Sequence, residues 1–105
     1  MDTLLNEVRA EILAECGWIV DSGHEWLQVP IRAAQFADKM DRIDGGEGIS
    51  SFSYVKGVLA YLEGDCDAAI FFDRFDVSED ETGSIALVSV YSDLSPVRKY
   101  PRWGA

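Results

Sequence analysis

The spacing of hydrophobic residues changes several times along this chain, and each change marks an element. Over residues 3–16, Leu5, Val8 and Ile12, with Leu4 beside them, recur every three to four positions. Asn6, Glu7, Arg9, Glu11 and Glu15 fall between them, the pattern of an amphipathic helix. Thr3 is a suitable N-cap and Gly17 a suitable left-handed stop. Residues 18–21 and 25–29 read instead as two strand-like arms divided by Ser22-Gly23, which predicts a β-hairpin. Pro30 ends the second arm and suits the first position of another helix. In that helix Ala33, Phe36, Ala37 and Met40, then Ile43 or Asp44, share a face opposite Arg32, Lys39 and Arg42.

Gly45, Gly46 and Gly48 break the second helix. Beyond them Phe52, Val55, Leu59 and Leu62 share one helical face, predicting a third helix over 51–63, capped by Ser50 or Ser51 and ended by Gly64. A hairpin turning at Lys56-Gly57 is the competing reading, since glycine inside a helix costs about 1 kcal/mol. Over 68–92, two runs rich in Phe, Val and Ile flank the polar SEDETG, which predicts a long second hairpin. A bulge at Gly83 pairs Val77 with Ile85, Phe75 with Leu87 and Phe71 with Tyr91. One face then carries Phe71, Phe75, Val77, Ile85, Leu87 and Tyr91 beneath the helices. The other carries Ile70, Phe72, Ala86, Val88 and Val90 and needs a cover. The first hairpin with Trp18 and Trp26, the tail with Tyr100 and Trp103, or a second subunit could supply it.

The predicted fold class is therefore α+β: helix, β-hairpin, two helices and a long β-hairpin, an antiparallel sheet with helices packed on one face. At 105 residues and 48% apolar content the chain has material for one core, so residues 1–105 are expected to form a single domain. Residues 94–105, which contain two prolines, are expected to form an extended basic and aromatic tail. Acids near the amino terminus and the lack of a long apolar run predict a soluble, cytoplasmic chain. Cys16 and Cys66 read as reduced thiols rather than a disulfide or zinc set.

Charge sharpens the picture. Nineteen acids face nine bases, a net −10, and the imbalance is local. Residues 63–93 carry nine acids against Arg74 alone, while the tail reverses the sign with Arg98, Lys99 and Arg102. The tail is expected either to lie near those carboxylates or to be loose. Such a field repels nucleic acid and anionic membrane and favours a basic protein partner.

Candidate chemistry is sparse. His24 is the only histidine, sits in the first turn and has no third group to form a triad with Ser22. Residues 42–53 faintly resemble the calcium loop of EF-hand proteins. Arg42 at the first ligand position, Gly46 at the fifth and Ser53 at the twelfth remove the carboxylates calcium needs. The GGEG glycines lack a preceding strand and a following GK[ST], so they form no phosphate cradle. The dense carboxylates are Glu63, Asp65, Asp67, Asp73, Asp76, Glu79, Asp80 and Glu81.

These observations predict a non-enzymatic interaction protein without cofactor or metal. It would be an inhibitor of immunity or virus-encoded anti-defence type that presents those eight acids to a basic, possibly nucleic-acid-binding surface of a protein partner. Trp26 and Trp103 are the candidate aromatic anchors. Alternate residues on one strand face lie ~6.8 Å apart, whereas duplex DNA carries one charge per ~1.7 Å. General acidic competition is thus expected rather than close mimicry of DNA. A homodimeric accessory subunit is the alternative. A third reading is a divalent-cation binder or small metal-dependent enzyme at Glu63, Asp65, Asp67 and Asp73.

Overall fold

The structure, a computed structural model, describes residues 3–104, and for residues 3–6 it gives the backbone alone. In chain order the helices are α1 (Thr3–Ala14), α2 (Ile31–Ile43), α3 (Asp67–Arg74) and α4 (Glu79–Gly83). The strands are β1 (Gly17–Val20), β2 (Glu25–Pro30), β3 (Tyr54–Lys56), β4 (Leu59–Glu63) and β5 (Ala86–Val90), followed by a 3-10 turn at Pro96–Lys99. One five-stranded sheet runs in the order β3-β4-β2-β1-β5. Three of its ladders are antiparallel, but β1 pairs with β5 in parallel, so the α+β sheet is mixed rather than purely antiparallel. The side-chain placements expected for Thr3, Leu4, Leu5 and Asn6 lie outside the described residues.

Strand alternation separates two apolar layers. Leu27 and Val29 of β2 and Ala60 and Leu62 of β4 pack with α2 and α3 around Phe71. On the opposite side Ile19, Trp26, Tyr54 and Tyr61 form a second cluster, closed by Val97 and Tyr100 of the tail. Ala33, Ala34 and Ala37 are the buried residues of α2, and their small side chains let the helix approach the sheet closely. Phe36 is displaced to the flank, where it meets Phe75, the residue that ends α3, at a ring separation of 5.3 Å, and Ile43 is exposed.

Two elements depart from expectation. Residues 51–63 form a hairpin, β3 and β4, instead of a helix. Gly57 has φ +62°, a left-handed turn conformation, and alternation places Tyr54 opposite Tyr61 and Val55 opposite Ala60. The stretch expected to be the first arm of the long hairpin is α3. Ala68, Phe71 and Phe75 fall on one helical stripe facing the core, whereas an extended chain would place Asp73 between Phe71 and Phe75 on the same face. The predicted pairings of Phe71, Phe75 and Val77 across the hairpin therefore do not exist. Gly83 ends α4 and is no bulge, and β5 pairs with β1.

Gly17 is also not a left-handed stop. It opens β1, and a Cβ there would collide with the Val88 side chain, so glycine serves the close approach of β5.

Candidate functional site

The eight carboxylates singled out from sequence do not form one patch. Asp67, the first residue of α3, is buried and accepts hydrogen bonds at Oδ2 from the Ser50 amide (3.1 Å), Ser50 Oγ (2.6 Å) and Ser53 Oγ (2.6 Å). It ties α3 to the loop before β3 and is not available to a partner. Glu63 at the end of β4 accepts the amides of Asp65 and Cys66, each at 3.1 Å, and so shapes the turn into α3. Glu81 completes a capping box with Ser78 at the start of α4. Arg9 of α1 donates to both Glu81 oxygens, at 2.7 and 2.6 Å, and with the Ser78 amide holds this carboxyl below the usual carboxylate range.

What remains outward is narrower. Asp73 is exposed and only loosely paired with Arg74 at 3.7 Å. Asp76 is exposed at φ +52°, and Glu79 and Asp80 are exposed in the first turn of α4. These four follow one another from the last turn of α3 into α4, which leads directly into β5. Asp65 is also exposed, but it lies on the β4–α3 turn.

The tail engages acids elsewhere. Arg98 pairs with Asp21 at the end of β1, with Nε 2.7 Å from Oδ2 and Nη2 3.0 Å from Oδ1. The Asp21 side chain is fully buried and also accepts the amides of Ser95, Gly23 and His24. The Arg98 hydrogen bonds first, opposed by burial and aided by these amides, hold the Asp21 carboxyl well below the usual carboxylate range. Arg102 donates to the Ser51 carbonyl and stacks over Tyr54. Neither guanidinium pairs with a carboxylate of residues 63–81, although both line a cleft with Glu63 and Asp65.

The two candidate anchors are both committed to packing. Trp26 is 2% exposed, beneath Arg98 and edge-on to Tyr54, so it cannot serve as a surface anchor. Trp103 is half-buried against the main core.

A cleft of about 360 Å³ collects His24, Glu63, Asp65, Cys66, Arg98 and Arg102 above Trp26 and Tyr54. Its basic groups are already engaged, Arg98 with Asp21 and His24 and Arg102 with the Ser51 carbonyl. His24 stacks on Trp26 and meets Arg98 Nη2 through Nδ1 at 3.1 Å, a contact in which the guanidinium donates and the ring nitrogen accepts. Among the described residues no group of three or more His, Cys, Asp or Glu side chains is placed to hold a metal ion. Burial first, then the Glu15 charge, pushes the Cys16 thiol up to about 12, which makes it a packing group rather than a nucleophile.

β5 is a strand as expected, but it lies at the sheet edge beside β1 rather than as the second arm of a hairpin. Leu87, Val88 and Val90 are exposed on an edge strand. Val88 and Val90 belong to the face expected to need a cover, and among the described residues both stay more than half exposed, Val88 meeting only the close approach of Gly17. The signal was the uncharged run 82–92, visible in the sequence but read as the second arm of a hairpin.

No protein-family model, curated protein or solved structure matches the chain.

Proposed function

We propose that this chain is a small cytoplasmic interaction protein without catalytic activity, which engages a basic protein surface and occludes it sterically. The observation that carries this reading is the unpaired or loosely paired series Asp73, Asp76, Glu79 and Asp80, set on consecutive elements beside an apolar strand. Acids needed to hold the fold are paired internally, whereas these four are left to the solvent. Their charge raises the rate of encounter with a basic partner, and the neighbouring apolar surface supplies desolvation once contact is made. Inhibitors of immunity or anti-defence type act in this manner.

Affinity capture from the native host, with mass spectrometry of the recovered protein, tests the reading when repeated with Asp73, Asp76, Glu79 and Asp80 changed to Lys. The wild-type chain is expected to recover a basic partner in a salt-sensitive way, and the folded variant to lose it. Equal recovery by both chains overturns the proposal. A homodimeric accessory subunit is the second reading, favoured by the exposed β5 edge. Sedimentation velocity separates the two, because a monomer at micromolar concentration excludes that reading.

A further inference from the structure

The two outermost strands differ in what lies beyond them. At β3 the Val55 amide donates to the Pro101 carbonyl and the Trp103 amide donates to the Ser53 carbonyl, each at 2.8 Å, while Arg102 bridges Tyr54 in antiparallel register. The chain's own basic segment is thus added to the sheet there. At β5 no described segment is added, and Leu87, Val88 and Val90 are 59%, 51% and 65% exposed. Residues 82–92 carry no charge and no proline, so the usual devices that blunt an edge are missing except for the register shift at Val88.

Strand geometry defines which backbone groups are open. The Tyr91 amide donates to the Val20 carbonyl at 2.8 Å, and alternation turns the neighbouring Val90 amide to the side away from β1. Around this neutral strand the charge is negative at both ends. Glu79 and Asp80, exposed in the first turn of α4, precede it, and Asp93 follows it.

We propose that β5 is a docking edge for an extended segment of a partner protein, apolar at its centre and basic at both ends, which joins the sheet as a sixth strand. This rests on the interaction-protein reading above and specifies its geometry. The occupant follows from charge. A second copy would bring another net −10 to the same edge, whereas a basic segment neutralises the flanking acids and repeats the pairing already made by the Arg102 segment at β3. Main-chain hydrogen bonds would supply affinity, and the exposed Leu87 and Val90 side chains would favour apolar residues at the alternate positions of the added strand.

The test uses the isotope-labelled full chain and a synthetic nonapeptide with a Val-Thr-Val-Thr-Val centre and two lysines at each end. The peptide is expected to slow exchange of the Val90 amide at least tenfold and to shift the β5 resonances. The same centre flanked by glutamates is expected to bind at least tenfold more weakly, and added salt to narrow that difference. Val90→Pro removes the open donor and is expected to abolish the shifts. Leu87→Lys keeps the backbone and is expected to weaken the basic peptide at least tenfold, so the proposal remains testable if the proline variant fails to fold.

Unchanged exchange at Val90 with millimolar peptide overturns the proposal, as does equal binding of both peptides. Shifts confined to Asp73, Asp76, Glu79 and Asp80 overturn strand addition while leaving the acidic-surface reading in place. A dimer whose Val90 amide is already protected without peptide assigns the edge to a second copy and overturns it as well. Failure of the parent reading shows separately, as host-partner capture that survives charge reversal.

Discussion

The sheet closes one of its edges with its own chain and, among the described residues, leaves the other bare. At β3, a three-residue strand is flanked by the tail, whose Val97 is buried beneath the sheet and whose Lys56–Tyr100 and Arg102–Tyr54 contacts set cations over aromatic faces. At β5, a five-residue strand of Ala, Leu, Val, Ser and Val faces outward, and among the described residues no cation or aromatic side chain is stacked over it. The difference shows where this acidic chain uses its few bases. Arg98 and Arg102 lock the tail, Arg74 ties α3 to Asp41 and Asp44 at the end of α2, and Arg9 holds α4. Charge pairing therefore consolidates the closed side and the helical layer, and β5 is left neutral between acids.

If the closed edge is part of the fold and the open one is not, removing the tail should have the largest effect. A chain ending at Asp93 loses Val97, Tyr100 and Trp103 together with the Arg98–Asp21 pair. The expected loss is on the order of 5 kcal/mol, comparable with the whole stability of a small domain. Urea denaturation followed by tryptophan fluorescence measures it. A truncated chain with an unchanged midpoint would place the tail with the open edge as an accessory.

Asp21→Asn is the next step down. It leaves the tail in place but removes the charge that Arg98 and three amides converge on, with an expected cost of about 3 kcal/mol. The pH dependence has a definite sign. Because the folded-state pKa of Asp21 is lowered, its contribution is complete above the unfolded value near ~3.9 and is lost as pH falls below it toward the folded value. Asp41, held down by the Gly48 amide and then by Arg74, acts in the same sense. Wild-type stability should therefore decline steeply below about pH 4, and the Asn variant should show a shallower slope. Parallel slopes would remove Asp21 from the clasp.

These contrasts also show how far the sequence could be read. The first hairpin was legible because Ser22-Gly23 separates two short runs, and α2 was legible from its alanine stripe and charged outer face. Residues 54–63 and 67–74 were each assigned the other's structure. In the first, Phe52, Val55, Leu59 and Leu62 imitate a helical stripe, but Gly57 at positive φ favours the turn and leaves Phe52 exposed. In the second, the β-propensity of Ile and Phe masked the 68-71-75 spacing, and tertiary burial of Phe71 decided the outcome. The division of the acids was not legible, because Asp67 and Glu81 are separated from their exposed neighbours by long-range contacts to Ser50, Ser53 and Arg9. Neither was the openness of β5, since its parallel partner β1 lies some seventy residues earlier.

Within the closed side, Gly57→Ala isolates the β3–β4 turn. A Cβ there meets no atom within 4 Å, so the only cost is the left-handed backbone, roughly 1–2 kcal/mol. The midpoint of urea unfolding should fall accordingly with an unchanged denaturant slope. An unaffected midpoint would mean that the turn relaxes freely and that the tail alone orders β3.

The smallest effect on stability belongs to the open edge. Leu87 lies opposite Trp18 on the ladder but is more than half exposed, so Leu87→Lys should move stability by less than about 0.5 kcal/mol. Native-state amide exchange gives the matching kinetic contrast. Val55, whose amide donates to Pro101 across the closed edge, should exchange slowly, and Val90, whose amide faces outward from β5, should exchange near the rate of an unstructured chain. Slow exchange at Val90 in a monomer, or a Leu87→Lys midpoint shift as large as that of Gly57→Ala, would mean that β5 is covered after all. The two edges would then be equivalent and the asymmetry would lose its functional meaning. Fast exchange with an unchanged midpoint identifies a strand held in place by β1 on one side alone, with its outer hydrogen-bonding groups and its leucine and valines free to meet another chain.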